Sequence, residues 1–159
     1  MEKMRLQCLE HGLGVLDGWA RRKGGAGLPS HLATGIEGED AAYFYLRRKG
    51  MTVVARRWSS GELPGDVDLI VWDGPVLCFV EVKTRTARDE KPAEAAVDGT
   101  KRKTLRRLAR QYVRQLAEET APPVRFDVMS VYLAPGKKRE CVHFEGAFGW
   151  TEQEERDAF

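Results

Sequence analysis

The 159-residue chain contains no apolar run of about eighteen residues or more, which excludes a transmembrane helix. Its first residues, Met1-Glu2-Lys3-Met4-Arg5, lead into a mixed stretch with neither the apolar core nor the small-residue cleavage site of a secretory signal. Cysteine is scarce. Cys8, Cys78 and Cys141 are odd in number and far apart, so they make neither a disulfide framework nor a CxxC zinc pair. His11, His31 and His143 form no metal-ligand spacing, and the glycines of residues 24–27 lack the flanking strand of a phosphate-binding loop. No sign of charge dominates, since 26 Lys+Arg against 24 Asp+Glu leave a formal net charge of +2. These absences describe a reduced, cytoplasmic protein without a membrane partner, and the net charge by itself indicates no partner at all.

What is present suits one folded domain. Hydrophobic residues make up 42% and charged residues 31%, enough apolar material for a core without metal or disulfide staples. Residues 1–33 read as a flexible or loosely packed extension, with six glycines (12, 14, 18, 24, 25, 27) and the basic cluster Arg21-Arg22-Lys23. Residues 151–159, with four acids and one Arg, read as a solvated tail. Between them, residues 34–150 carry the pattern of an α/β domain.

Thr34 and Glu37 fit a capping box that opens a helix ending near Gly50, with Ile36, Ala42, Tyr43 and Leu46 on its apolar face. Met51–Trp58 is extended and β-branched, Val67–Trp72 and Val76–Lys83 read as a hairpin, and residues 84–98 as a polar loop. From about Thr100 to Glu118 the apolar residues Leu105, Leu108, Ala109, Tyr112, Val113 and Leu116 recur at helical spacing, and Pro122-Pro123 stops any continuation. Arg125–Leu133 and Glu140–Phe144 read as two more strands. The order is helix, three strands, helix, two strands, a mixed α/β sandwich.

The chemistry concentrates in Gly65-Asp66-Val67-Asp68 and Val80-Glu81-Val82-Lys83. Side chains alternate along a strand, so Asp66 and Asp68 share one face, opposite Val67, Leu69 and Val71. On the next strand Leu77, Phe79, Glu81 and Lys83 share a face. Glu81 and Lys83 thus emerge from the end of a strand that is apolar on both sides, where ionised groups need partners. In register, Asp68 and Glu81 converge with Lys83 beside them. Two converging carboxylates suit a hard divalent cation, Mg²⁺ or Mn²⁺, and an adjacent Lys suits phosphodiester hydrolysis. The ordinary reading of acid–x–Lys at a strand end is a solvated ion pair, and Asp66 reads equally as a turn residue. Glu39 lies on the apolar stripe of its helix. It is either a first-turn acid favoured by the helix dipole or a third carboxylate turned toward the sheet.

Charge is segregated on the second helix. Asp98–Glu118 holds seven basic residues against two acids, a local net of +5. Lys103, Arg106, Arg107, Arg110 and Arg114 form a stripe at three- and four-residue spacing, away from the apolar face. A solvated face is the usual meaning of such a stripe. Like charges without interleaved Glu also repel, so a phosphate backbone is a fitting partner.

From about Thr34 to Leu133 the chain resembles the YraN-type family of bacterial proteins, predicted nucleases similar to archaeal Holliday-junction resolvases. The matching landmarks are residues 35–42 (GIEGEDAA), 65–70 (GDVDLI), 79–85 (FVEVKTR), Ala96-Val97 with Lys101, and 125–128 (RFDV). The resemblance implies a restriction-endonuclease-like core of the PD-(D/E)XK superfamily, with a central mixed sheet of about five strands flanked by helices. It further implies Asp68 as metal-binding Asp, Glu81 and Lys83 as the E-x-K pair, Glu39 as the acid of the first helix, and Lys101 at a recurrent basic position. Asp66 stands where the family usually has Glu, Arg57 replaces a usual Asn, and Glu62-Leu63-Pro64 lengthens the turn before Gly65.

The leading expectation is a Mg²⁺- or Mn²⁺-dependent endodeoxyribonuclease. Glu39, Asp68 and Glu81 hold the ion, Lys83 assists the water, and the Lys101–Arg114 helix grips DNA. A catalytically silent nucleic-acid-binding module of the same fold is the second expectation, and a protein whose basic helix docks an acidic partner is the third. Junction resolution would call for a homodimer, and no motif in the chain encodes one.

Overall fold

The computed structural model describes residues 30–87, 97–116 and 120–151. Cys8, His11, most of the N-terminal extension and residues 152–159 of the acidic tail lie outside them. Seven elements follow the expected order: α1 (Ser30–Arg48), β1 (Thr52–Trp58), β2 (Val67–Asp73), β3 (Val76–Arg85), α2 (Gly99–Gln115), β4 (Val124–Tyr132) and β5 (Glu140–Phe148).

The strands form one five-stranded sheet in the order β1-β2-β3-β4-β5. β1/β2, β2/β3 and β4/β5 are antiparallel, whereas β3 and β4 are parallel, with α2 in the crossover between them. A parallel pair needs such a crossover, and here the amphipathic second helix supplies it. The two helices take opposite faces. Leu105, Leu108 and Ala109 of α2 pack with Ile70, Leu77, Phe79, Phe126 and Val128. Ala41, Ala42 and Leu46 of α1 pack with Leu69, Val71, Cys78, Val80 and Met129. β3 is therefore buried on both faces, as its two-sided apolar sequence requires.

Some details depart from the sequence expectation. α1 begins at Ser30, so Thr34 lies inside the helix rather than at its cap. Ala41, Ala42, Phe44 and Leu46 are its buried side chains, while Ile36 and Tyr43 are half-buried. Val67 packs on the α2 side with Ile70 instead of with Leu69 and Val71. β5 runs on to Phe148, four residues beyond Phe144, because Phe148 pairs with Phe126 and stacks on its ring, centroids 4.9 Å apart. α2 is capped by Asp98, whose side chain accepts the Lys101 N–H at 2.8 Å.

Two glycines set the geometry near the strand ends. Gly65 has φ +95°, and a Cβ there would meet Thr104 Cγ2 at 2.7 Å. Gly38 is tighter. A Cβ would stand 1.8 Å from Thr84 Oγ1 and 2.9 Å from Thr84 Cβ, so α1 lies directly against the end of β3. Gly38→Ala is expected to push α1 off the sheet and lower stability by about 1–3 kcal/mol in chemical denaturation, the usual range for overpacking. An unchanged midpoint would contradict this contact.

Candidate functional site

The sheet brings the predicted acids to one end of its central strands. β2 and β3 pair with Leu69 opposite Val80 and Ile70 opposite Phe79. Asp68 and Glu81 stand next to the Leu69–Val80 pair, close enough for the Glu81 charge to act on Asp68. Asp68 Oδ2 accepts the Val82 N–H at 2.7 Å, which fixes its carboxylate across the strand pair. Asp68, Glu81 and Glu39 line one cleft of about 540 Å³, together with His31, Thr34 and Thr84.

Glu81 is buried, its residue 3% exposed, and stands between two lysines. Lys83 Nζ lies 3.0 Å from Oε1, and Lys101 Nζ lies 3.0 Å from Oε2. Each carboxylate oxygen of Glu81 thus faces one ammonium group. Lys101 also reaches Asp66, donating to its backbone carbonyl at 3.2 Å and lying 3.7 Å from its carboxylate. Burial works against the charge of Lys101, but Glu81, Asp68 and Asp66 outweigh it and raise its pKa.

Asp68 is strongly perturbed. Its carboxyl is pushed up to about 7, first by burial and then by the negative charge of Glu81, against the opposing pull of the Val82 N–H and Lys101. A carboxylate held close to another acid and poorly solvated is short of positive charge. This oxygen donor set fits a hard divalent cation bound by Asp68 and Glu81.

Glu39 is placed differently. It lines the cleft, but its carboxylate is gripped by Arg57 of β1, Nε to Oε2 at 2.5 Å and Nη2 to Oε1 at 3.0 Å. Its neighbour Asp40 pairs with Arg56. Among the described residues no three His, Cys, Asp or Glu side chains are gathered closely enough to hold a metal ion. Two carboxylates meet in the cleft, and the third is held by an arginine.

The basic helix splits in two. Lys101 reaches Glu81 and Asp66, and Arg106 is buried, donating from Nε to the Gly149 carbonyl at 2.8 Å. Lys103, Arg107, Arg110 and Arg114 are exposed. Arg110 lies over the Trp150 ring, 5.1 Å from its centroid.

Three features are not legible along the chain. Arg57 stands out there only as an unusual residue, and nothing in its spacing connects it with Glu39. His31 falls on the cleft because α1 starts early. The third is a buried ionic cluster in β4 and β5. Asp127, fully buried, accepts from Arg125 Nε and Nη2 at 2.8 and 3.0 Å and from the Gly146 N–H at 2.9 Å, and its Oδ2 lies 2.9 Å from His143 Nε2. A charged residue at every second strand position (Arg125, Asp127) is the one signal that could have found it. Cys78 is a buried core residue as expected, its thiol pushed up to about 12 chiefly by burial.

The five-stranded mixed sheet with a helix on each face is the architecture of an α/β protein with a nuclease-like core. More particularly, the chain belongs to the uncharacterised protein family UPF0102, whose model matches residues 38–131. It is 56% identical over 105 residues to a UPF0102 protein of Koribacter versatilis (strain Ellin345), covering 66% of this chain and 72% of that one. A UPF0102 protein of Solibacter usitatus (strain Ellin6076) is 50% identical over 111 residues, 70% and 82% of the two chains. One from Nocardia farcinica (strain IFM 10152) is 41% identical over 118 residues, 73% and 89%. The matched region holds Glu39, Asp68, Glu81, Lys83 and Lys101. No helix among the described residues is long and apolar enough to cross a membrane.

Proposed function

We propose that the protein is a divalent-metal-dependent nuclease that hydrolyses phosphodiester bonds in DNA. The observation that carries this reading is the buried Glu81 carboxylate. It lies beside Asp68, whose pKa burial and the Glu81 charge both raise, and it is paired at Oε1 with Lys83 and at Oε2 with Lys101. Asp68 and Glu81 would hold Mg²⁺ or Mn²⁺, and Glu39 would join them once released from Arg57. A cation held there would supply polarisation of the phosphodiester and a more acidic water. Lys83 Nζ, at the open end of β3, orients the attacking water and offsets negative charge growing on the phosphorus-bound oxygens. Lys101 holds the Glu81 carboxylate in place. Lys103, Arg107, Arg110 and Arg114 follow the backbone of the nucleic acid along the exposed side of α2.

One observation favours a second reading, a nucleic-acid-binding module without turnover. Lys83, Lys101 and Arg57 already give Glu81 and Glu39 cationic partners, so the cleft is partly neutralised from within.

Incubation with duplex, single-stranded and branched DNA, with Mg²⁺ or Mn²⁺, separates the two. The nuclease cleaves at least one substrate only with the metal, and both Asp68→Ala and Lys83→Ala abolish cleavage. No cleavage under any condition, or equal cleavage by both variants, sinks the assignment. Salt-sensitive binding without cleavage selects the silent module. A dimeric state during cleavage of branched DNA, read by sedimentation, tests the junction-resolving form of the proposal.

A further inference from the structure

We propose that Arg57 is a latch on Glu39: its guanidinium holds the third carboxylate of the cleft apart from Asp68 and Glu81 until a phosphate of the substrate takes the guanidinium instead. The inference rests on the nuclease reading and adds a control step to the same site.

The backbone is the first observation. Arg57 has φ +48°, the one described residue other than glycine in the left-handed region. A long side chain adopts that conformation only where its surroundings impose it, and such outliers collect at clamps and switch regions. Its neighbours are held in the sheet, Arg56 opposite Leu69 and Trp58 opposite Val67. The departure is therefore confined to Arg57, and it accompanies a two-point grip on Glu39.

The chemistry of that grip is the second. A guanidinium fork that fits two carboxylate oxygens fits two phosphate oxygens equally well. Three cations pair with cleft carboxylates, and Arg57 is the most exposed, its side chain 48% accessible against 34% for Lys83 and 25% for Lys101. An incoming polyanion meets Arg57 first. Lys83 and Lys101 are both committed to the buried Glu81.

The third observation is the incomplete acid cluster. Glu39 lines the same cleft as Asp68 and Glu81, yet the described residues gather no three metal-ligating side chains. When phosphate draws Arg57 away, Glu39 gains a free carboxylate and the cleft gains one negative charge. Phosphate and divalent cation then favour each other's binding, and the coupling works in both directions.

Mn²⁺ titration calorimetry of the full chain tests this without relying on cleavage, using wild type, Arg57→Gln, Glu39→Gln and the double variant, each checked for folding by circular dichroism. Arg57→Gln is expected to tighten Mn²⁺ binding about tenfold, and most of that gain should vanish in the Glu39→Gln background. Arg57→Lys, which keeps the charge and loses the fork, should fall between. A short DNA duplex should tighten Mn²⁺ binding by wild type and do so much less in Arg57→Gln. A gain of equal size in both Glu39 backgrounds is a general charge effect and overturns the latch. A duplex effect unchanged in Arg57→Gln overturns the role of phosphate. Asp68→Asn distinguishes the levels of failure. Mn²⁺ binding that needs Asp68 but shows an additive cycle removes the latch alone, and no Mn²⁺ binding by any variant removes the latch and the nuclease reading together.

Discussion

Asp68→Asn is expected to stabilise the protein at pH 8 by a few kcal/mol and, under the proposed nuclease reading, to abolish cleavage. The direction follows from proton linkage. The Asp68 carboxyl titrates at about 7 in the folded chain against an ordinary value of 3.8. Between those values the folded state holds more protons than the unfolded state, so this group's contribution to stability falls as pH rises through the window. Above it the cleft contains an ionised, poorly solvated Asp68 facing Glu81. An amide removes that charge, and its carbonyl still accepts the Val82 N–H. A rise of that size corresponds to about 4 kcal/mol, an upper bound for a group that keeps some contact with water. Urea denaturation from pH 4 to pH 9 reads the effect. The advantage of Asp68→Asn should grow up to about pH 7 and then level off. A pH-independent difference, or a less stable variant at pH 8, would show that Asp68 is not the strained acid of the cleft. A functional site that weakens its own fold is the familiar trade of stability for activity.

Arg125→Leu should destabilise the protein by about 3–5 kcal/mol, the range for leaving a buried charge without its partner. Asp127 is completely buried, and burial alone would raise its pKa. The hydrogen bonds from His143, Arg125 and the Gly146 N–H outweigh burial and hold the carboxyl below its ordinary value. For a depressed carboxyl the stabilisation is present above 3.8 and lost as pH falls through the lower folded value. The deficit of Arg125→Leu is therefore greatest near neutrality and shrinks in acid, where Asp127 is protonated with or without its partner. Pairing Arg125→Leu with Asp127→Asn should recover part of the loss, since no charge is then stranded. A loss under about 1 kcal/mol at pH 7 would mean that the cluster is already well solvated. Arg125 also pairs with Asp73 at 3.0 Å, joining the end of β2 to β4 across the buried β3, so the arginine supports the sheet that carries the site.

Much of this is written in the order of residues. Apolar spacing of three and four makes α2 legible, and two-sided apolarity marks β3 as the central strand. Alternation along β3 places Glu81 and Lys83 on a common face, where they pair at 3.0 Å. These are periodic signals, and a period survives in one dimension because each element imposes its own repeat on the side chains. The start of α1 is less legible. Thr34 and Glu37 have capping-box spacing, but Ser30 precedes them by one turn, and a hydroxyl at either place can begin a helix.

Residue order alone therefore dictates the succession of elements, the sandwich of two helices about a sheet, and the Glu81–Lys83 pair on one face of β3. Those features depend on neighbours within one element or one hairpin. The rest of the site exists only once the elements pack. Lys101 is remote in sequence from Glu81 and belongs to a helix whose other cations mostly face solvent, so its charge reads only as one of seven on that segment until α2 lies across the sheet. Glu39 and Arg57 are eighteen positions apart, and their grip depends on the approach of α1 to β1 and on a φ of +48° that no pattern announces. Long-range ion pairs are chosen by how elements pack, and packing angle leaves no period to read.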